Sequence, residues 1–331
     1  MRVLVTGGAG YIGSCVIEEL LKNHFEPVVF DSFFWGESPL ESFSDGIQII
    51  RGDCRSSKDI IYALEGIDAI IHLAGIVGDP ACKISPRANF TTNIESTRTL
   101  LDCCTDPEGT LVRDFIFASS CSVYGNVHGI YPEVSEETPV SPISSYAHTK
   151  IRSENIILRK AREIPHFHPT ILRLTTVFGW SHRPRLDLVS NMFTYRAWKD
   201  REITIFGDGE QYRSLIHVKD VANAMVEVLK APRFMRSGKI YHVGEESNNR
   251  SIKEISEVVK HYLPDTKIYF RPEQDTDRRD YRINCRRITN VIGWKAKYSV
   301  EDGIKELIEK FETFDYDWDS DQFRNNNFKY E

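Results

Sequence analysis

The sequence predicts an α/β fold: a doubly wound, mostly parallel sheet with a smaller C-terminal α/β lobe interleaved with it. Three observations carry this expectation. The chain opens on a short apolar run that feeds a glycine-rich turn and then a helical pattern. Strand-like and helix-like segments then alternate up to residue 174, the order that buries a parallel sheet between two layers of helices. The strand-like segments end repeatedly in glycine, aspartate or serine, and sheets of this kind bind ligands off the carboxyl ends of their strands.

Residues 2–6 are the first expected strand, and Gly7-Gly8-Ala9-Gly10-Tyr11-Ile12-Gly13 follows directly. A helical pattern opens at Ser14. In that setting Gly7 permits a tight turn, Gly10 lets backbone amides approach a pyrophosphate, and Gly13 lets the helix pack on the strand. The helix N-terminus contributes unpaired N–H groups and the positive end of its dipole, which places Tyr11 and Ile12 in the same cofactor-binding set. A second strand at 27–30 ends in Asp31. A carboxylate there accepts the free 2′-hydroxyl of a ribose and repels a 2′-phosphate, so the cofactor expected is NAD rather than NADP. Together these features are those of a Rossmann-type unit.

Further strands are expected at 47–51, ending in Gly52-Asp53, and at 69–73, running into Ala74-Gly75. Others follow at 114–118, running into Ser119-Ser120, and at 170–174. Helices are expected at 57–64, as one long element at 86–104, and at 144–162. Beyond residue 179 the alternation weakens. A basic loop at 183–187 precedes helices at 188–199, 220–230, 252–262 and 300–311, with strands at 203–206, 215–218 and 240–243. The expected division is residues 1–178, mainly cofactor-binding, and 179–313, mainly a substrate lobe with segments returning to the first unit. An acidic, aromatic tail at 314–331 reads as partly disordered or docked on a partner subunit.

Composition narrows the class. A net charge of −6 argues against nonspecific binding of nucleic acid. No apolar run reaches the length of a membrane span, and with a core strand at the very start no targeting segment is expected. The seven cysteines are scattered and form no C-x-x-C pair; they read as reduced thiols, with neither metal nor disulfide framework, in a cytoplasmic protein.

Tyr146-Ala147-His148-Thr149-Lys150 opens a helix, so Tyr146 and Lys150 share one face a turn apart. An ammonium beside a phenol favours the phenolate, which suits a base that takes a hydroxyl proton while hydride leaves the same carbon. Ser120, at a strand end two elements earlier, can hydrogen-bond the reacting oxygen.

At this point the chain resembles the extended short-chain dehydrogenase/reductases that act on nucleotide sugars, the epimerase/dehydratase group similar to UDP-glucose 4-epimerase. The matching pieces are TGGAGYIGS at 6–14, Gly52-Asp53, HLAG at 72–75, SSCSVYG at 119–125, YAHTK at 146–150, Leu172-Arg173-Leu174 and RSLIHVKDVANA at 213–224. The resemblance implies a catalytic trio of Ser120, Tyr146 and Lys150. It implies an NAD site that includes Asp53, with Cys54 beside it, and Leu73, Ala74 and Gly75. Arg213 and Arg279 fall where these enzymes meet the diphosphate of a nucleotide sugar. Asn191 reads either as a substrate contact or as a capping or packing residue. A homodimer through the helices around 88–104 and 146–162 is also implied.

Within that group the 4,6-dehydratases carry acidic residues just after the catalytic Ser or Thr, whereas this chain has Cys121-Ser122. A 4-epimerase needs only the trio and room for the keto-sugar to turn, and that is the leading reading. Segments 185–197 and 275–281 are also similar to nucleotide-heptose C4 dehydrogenases, which keeps C4 oxidation or 4-keto reduction as the alternative. Cys121, with His182 as a partner, matches the place of a proton-transferring cysteine in 3,5-epimerising relatives. A packing role fits Cys121 better, because SVYG follows it. Non-catalytic NAD-binding subunits of this fold lose the tyrosine or the lysine, and both are present here.

Overall fold

The computed structural model describes residues 1–106, 111–127, 130–272 and 280–325. In chain order the elements begin β1 (Arg2–Thr6), α1 (Tyr11–Lys22), β2 (Glu26–Asp31), β3 (Gln48–Arg51), α2 (Ser57–Ala63) and β4 (Ala69–His72). There follow α3 (Asp79–Ile84), α4 (Pro86–Phe90), α5 (Ser96–Cys104), β5 (Asp114–Ser120), α6 (Ser145–Glu163), β6 (His168–Leu174) and β7 (Thr176–Phe178). Next come α7 (Val189–Asp200), β8 (Glu202–Phe206), β9 (Tyr212–His217), α8 (Val218–Lys230), α9 (Arg233–Arg236) and β10 (Lys239–Val243). The last are β11 (Asn249–Ser251), α10 (Ile252–Tyr262), β12 (Lys267–Arg271), α11 (Arg286–Ile292) and α12 (Val300–Thr313).

Seven strands form the central sheet in the order β10-β6-β5-β4-β1-β2-β3, and each neighbouring pair is parallel. The order reverses between β1 and β4, and a crevice opens there at the carboxyl edge. Both faces are buried, so the strands read as near-continuous apolar runs. Val3, Val5, Ile71, Ile116 and Leu172 pack with α1 and α8 on one side. Leu4, Phe30, Ile70, Phe115 and Ile171 pack with α2, α5 and α6 on the other. The strand at residues 239–243, late in the sequence, joins this sheet beside β6.

Two smaller sheets, β11-β9-β7 and β12-β8, pack with α7, α10 and α12 around Phe178, Phe193, Ile205, Leu215 and Ile304. The structure adds α3, β7, α9, β11 and α11, which the sequence does not predict, and it differs further in three places. The long helix at 86–104 is interrupted by a wide π turn at Thr91–Glu95. That turn carries Asn93, whose side chain accepts the Ile76 N–H at 2.7 Å and donates to the Ile76 carbonyl at 2.8 Å. β12 was not expected, because it leaves most of its side chains exposed and so prints no apolar stripe. Residues 314–325 pack on their own chain. Trp318 and Phe323 join Trp180, Tyr195 and Phe311 in an aromatic cluster, and the Leu186 N–H donates to the Phe323 carbonyl at 2.7 Å. No helix among the described residues is long and apolar enough to cross a membrane.

Candidate active site

A cleft of about 320 Å³ runs along the carboxyl edge of the central sheet. Its floor begins at the glycine turn. Gly7 sits at φ +74°, where a Cβ would meet the Ala74 nitrogen at 2.8 Å, and a Cβ on Gly13 would meet the Gly7 carbonyl oxygen at 2.2 Å. Only glycine lets β1, α1 and the segment after β4 come this close. A Cβ on Gly10 would meet only the Gly7 oxygen, at 3.1 Å, so nothing else in the protein crowds that position. The first turn of α1 follows, with Tyr11, Ile12 and Gly13 lining the cleft.

Asp31 ends β2 and lines the cleft. Its carboxylate accepts the Ala9 N–H at 3.0 Å and the Phe33 N–H at 2.8 Å. Burial raises its pKa, and those two N–H groups work against the rise. Asp53 and Cys54 line the same end. Burial alone would raise the Asp53 pKa, but Arg55, paired with it through Nε and Nη2, brings it below the usual range. Burial pushes the Cys54 thiol well up, so it stays protonated.

Leu73, Ala74 and Gly75 form the opposite wall, held by a neutral relay behind them. Thr6 Oγ1 accepts the Leu73 and Ala74 N–H groups at 3.3 and 3.2 Å and contacts His72 Nδ1 at 2.7 Å. Burial pulls the His72 pKa down to about 3, which leaves the imidazole uncharged. With the Thr6 oxygen already accepting twice, its own proton goes to Nδ1. The Nε2–H then donates to Thr97 Oγ1 at 3.0 Å, and Thr97 donates on to the Asn93 carbonyl at 2.9 Å.

Ser120, Tyr146 and Lys150 line the middle of the cleft. Ser120 ends β5, and its Oγ accepts the Ser122 N–H at 3.2 Å. Ser144 caps α6 by accepting the Ala147 N–H at 3.2 Å, which fixes the first turn that carries Tyr146. One turn on, Lys150 Nζ donates to the Ala118 carbonyl at 2.8 Å and lies 5.7 Å from the Tyr146 ring centroid. Burial pulls the Lys150 pKa down to about 8. One further turn along α6, Glu154 accepts from Ser119 Oγ and from Arg173 Nε and Nη2. This buried knot joins β5, β6 and α6 directly behind the trio.

Every residue expected at the cofactor site and in the trio lines this one cleft. The expected substrate residues do not gather there. Asn191 is fully buried, its Oδ1 accepting the Gly179 N–H at 2.9 Å and its Nδ2 donating to the Arg185 carbonyl at 3.0 Å. It braces the 179–185 loop. Arg213 is buried in β9, outside the cleft lining, with Nη1 on the Tyr212 carbonyl at 2.9 Å, and Arg279 lies outside the described residues. Cys121 is fully buried with its thiol on the Arg173 carbonyl at 3.3 Å, and burial pushes its pKa well up. His182 faces Glu18 at 3.3 Å and the Phe43 ring, away from the trio. The cleft also takes Trp35, Asp79, Arg183, Arg185 and Asn325, which sequence reasoning missed. The basic loop was visible in the sequence, but nothing in it announced that two arginines turn inward. Among the described residues, no cluster of His, Cys, Asp or Glu is arranged to hold a metal ion.

The fold and this lining fit a dinucleotide laid across the switch point with its diphosphate at the α1 N-terminus. A glycine turn, a strand-end serine and a Tyr–Lys helix on one parallel sheet together define an extended short-chain dehydrogenase/reductase. The signature of the NAD dependent epimerase/dehydratase family matches residues 3–244, and the chain belongs to that family. Among its relatives is the uncharacterised UDP-glucose epimerase YtcB of Bacillus subtilis (strain 168), 32% identical over 270 residues, which cover 77% of this chain and 80% of that one. The crystal structure of UDP-glucose 4-epimerase from Thermotoga maritima with UDP-glucose superposes with a TM-score of 0.83 at 26% identity, covering 94% of this chain and 99% of that one. UDP-glucuronic acid 4-epimerase from Bacillus cereus, in complex with UDP-glucuronic acid and NAD, gives 0.82 at 26% identity over 94% and 99%.

Proposed function

We propose that the chain is an NAD-dependent nucleotide-sugar 4-epimerase. The observation that carries this reading is the convergence of Ser120, Tyr146 and Lys150 on the cleft that also holds the glycine turn. A bound nicotinamide supplies the hydride acceptor for the sugar C4 carbon and, once reduced, the donor that returns it. Tyr146 takes the C4 hydroxyl proton, and Ser120 holds the same oxygen by a hydrogen bond. Lys150 stabilises the phenolate by its charge. Asp31 at the end of β2 favours a ribose with a free 2′-hydroxyl, hence NAD. Where dehydratases of the group place an acid, this chain has Cys121, turned to the Arg173 carbonyl with its proton retained, so a route for loss of water is missing at that position.

The test is turnover of UDP-, GDP- and dTDP-linked sugars by the NAD-loaded protein, with absorbance of the reduced nicotinamide and the recovered sugars followed together. The expected result is a sugar inverted at C4 without net NADH. Lasting NADH with a keto-sugar would replace epimerase by C4 dehydrogenase. The homodimer implied by the resemblance belongs to the same proposal, and light scattering at micromolar concentration tests it.

A further inference from the structure

The cleft carries a buried cation whose hydrogen bonds among the described residues all go to neutral atoms. Arg183 is 5% exposed. Its Nη1 donates to Asn325 Oδ1 at 2.7 Å and its Nη2 to the Gln322 carbonyl at 2.9 Å, while its Nε is buried with no hydrogen-bond partner among the described residues. The guanidinium lies 4.2 Å from the centroid of the Trp35 ring. The neighbouring carboxylate of Asp187 is taken by Arg185, not by Arg183. Burial, with the charge of Arg185 adding to it, pulls the Arg183 pKa down to about 9. A buried charge in this condition is costly until an anion joins it.

Position says which anion. Trp35 comes from the loop after Asp31, and Arg183 lies within electrostatic reach of Asp31 itself. On the other side, Ser181 Oγ donates to the Tyr11 carbonyl at 2.6 Å, which ties the loop carrying Arg183 to the first turn of α1. Arg183 therefore stands between the end of β2 and the N-terminus of α1, the stretch along which a dinucleotide lays its ribose and diphosphate. The C-terminal segment holds it there, anchored by Trp318 and Phe323 in the aromatic cluster.

We propose that Arg183 meets the diphosphate of bound NAD, and that residues 314–325, through Gln322 and Asn325, clasp it there and keep the dinucleotide on the protein between hydride removal and return. The proposal rests on the reading of the cleft as an NAD site. It adds an arginine and a C-terminal asparagine to an expected cofactor set that runs only from Gly7 to Lys150.

The test compares the full-length wild type, Arg183→Gln and Asn325→Ala, each stripped of nucleotide. NADH release is followed by stopped-flow energy transfer from tryptophan, and UDP affinity by calorimetry on the same samples. Loss of a charge-assisted contact predicts release at least about tenfold faster for Arg183→Gln, and about threefold faster for Asn325→Ala, with UDP affinity within about twofold. Asn325→Ala leaves the guanidinium in place, so it tests the clasp even where Arg183→Gln fails to fold. Unchanged release in both variants, beside a wild type that does hold NADH, removes the clasp alone. Weaker UDP binding with unchanged NADH release assigns Arg183 to the substrate's diphosphate and also overturns it. A wild type that binds no NADH removes the NAD reading, and the clasp with it.

Discussion

Replacing Lys150 by methionine keeps the stem and removes the charge, and the structure predicts opposite effects on rate and stability. At an effective dielectric of about 20, a unit charge at the 5.7 Å separating Lys150 Nζ from the Tyr146 ring is worth about 3 kcal/mol to a phenolate, or about two pK units. The acidic limb of the kcat/KM profile is therefore expected to rise by about two pH units. Stability should move the other way. Burial takes the Lys150 pKa from 10.5 to about 8, which corresponds to about 3 kcal/mol. Between those two values the unfolded chain holds the proton more firmly than the folded chain does, so wild-type stability climbs as pH rises through the window. The methionine variant has no such climb. After about 1 kcal/mol is deducted for the lost hydrogen bond to the Ala118 carbonyl, it should be about 2 kcal/mol more stable than wild type at pH 7. That advantage should vanish near pH 9.5 and turn into a deficit of about 1 kcal/mol by pH 10.5. Urea unfolding at several pH values, set beside pH–rate profiles, measures both. A variant less stable than wild type at every pH would refute the reasoning, as would a limb that stays where it was.

Asp31→Ala should lower the preference for NAD over NADP by about tenfold or more in competition binding; equal affinity of the wild type for both would overturn the role given to that carboxylate. Glu154→Gln leaves Arg173 charged at 5% exposure without its carboxylate, so the unfolding free energy should fall by about 3–5 kcal/mol, read from urea midpoints. Cys121→Ala removes a fully buried thiol and should lower stability by about 1–2 kcal/mol while turnover stays within about twofold; loss of most turnover would revive a proton-transfer role for the thiol.

What was legible in the sequence was what backbone geometry demands. Gly7 and Gly13 are read directly, because no other residue permits those approaches, and Asp31, Gly75 and Ser120 follow from strand ends whose apolar runs are plain. Arg183 and Asn325 were not legible, since their place in the cleft depends on where the 179–186 loop and the C-terminal segment dock, and no local periodicity encodes that docking. Asn191 illustrates the converse. A polar residue in a helix after a basic loop looks like a ligand contact, yet its amide is consumed by the backbone of the loop it braces. The π turn at Thr91–Glu95 was hidden as well, because its apolar spacing is that of an ordinary helix and only the Asn93 bridge to Ile76 distinguishes it.

The return of β10 to the central sheet has a consequence for how the chain is made. β6 ends at Leu174, and the strand that covers its open edge begins only at Lys239. At about 5–20 residues per second of synthesis, the sixty-odd residues between them keep that edge uncovered for roughly 3–13 s, and longer while β10 clears the ribosome. A buried-type strand with unpaired amides is a template for wrong partners during such an interval. The segment that emerges meanwhile carries β8, β9 and α8, and α8 packs its apolar face on the same sheet. The second half of the chain thus shields the first while it waits, and chains cut short before residue 239 should collect as aggregates rather than as a soluble cofactor-binding half.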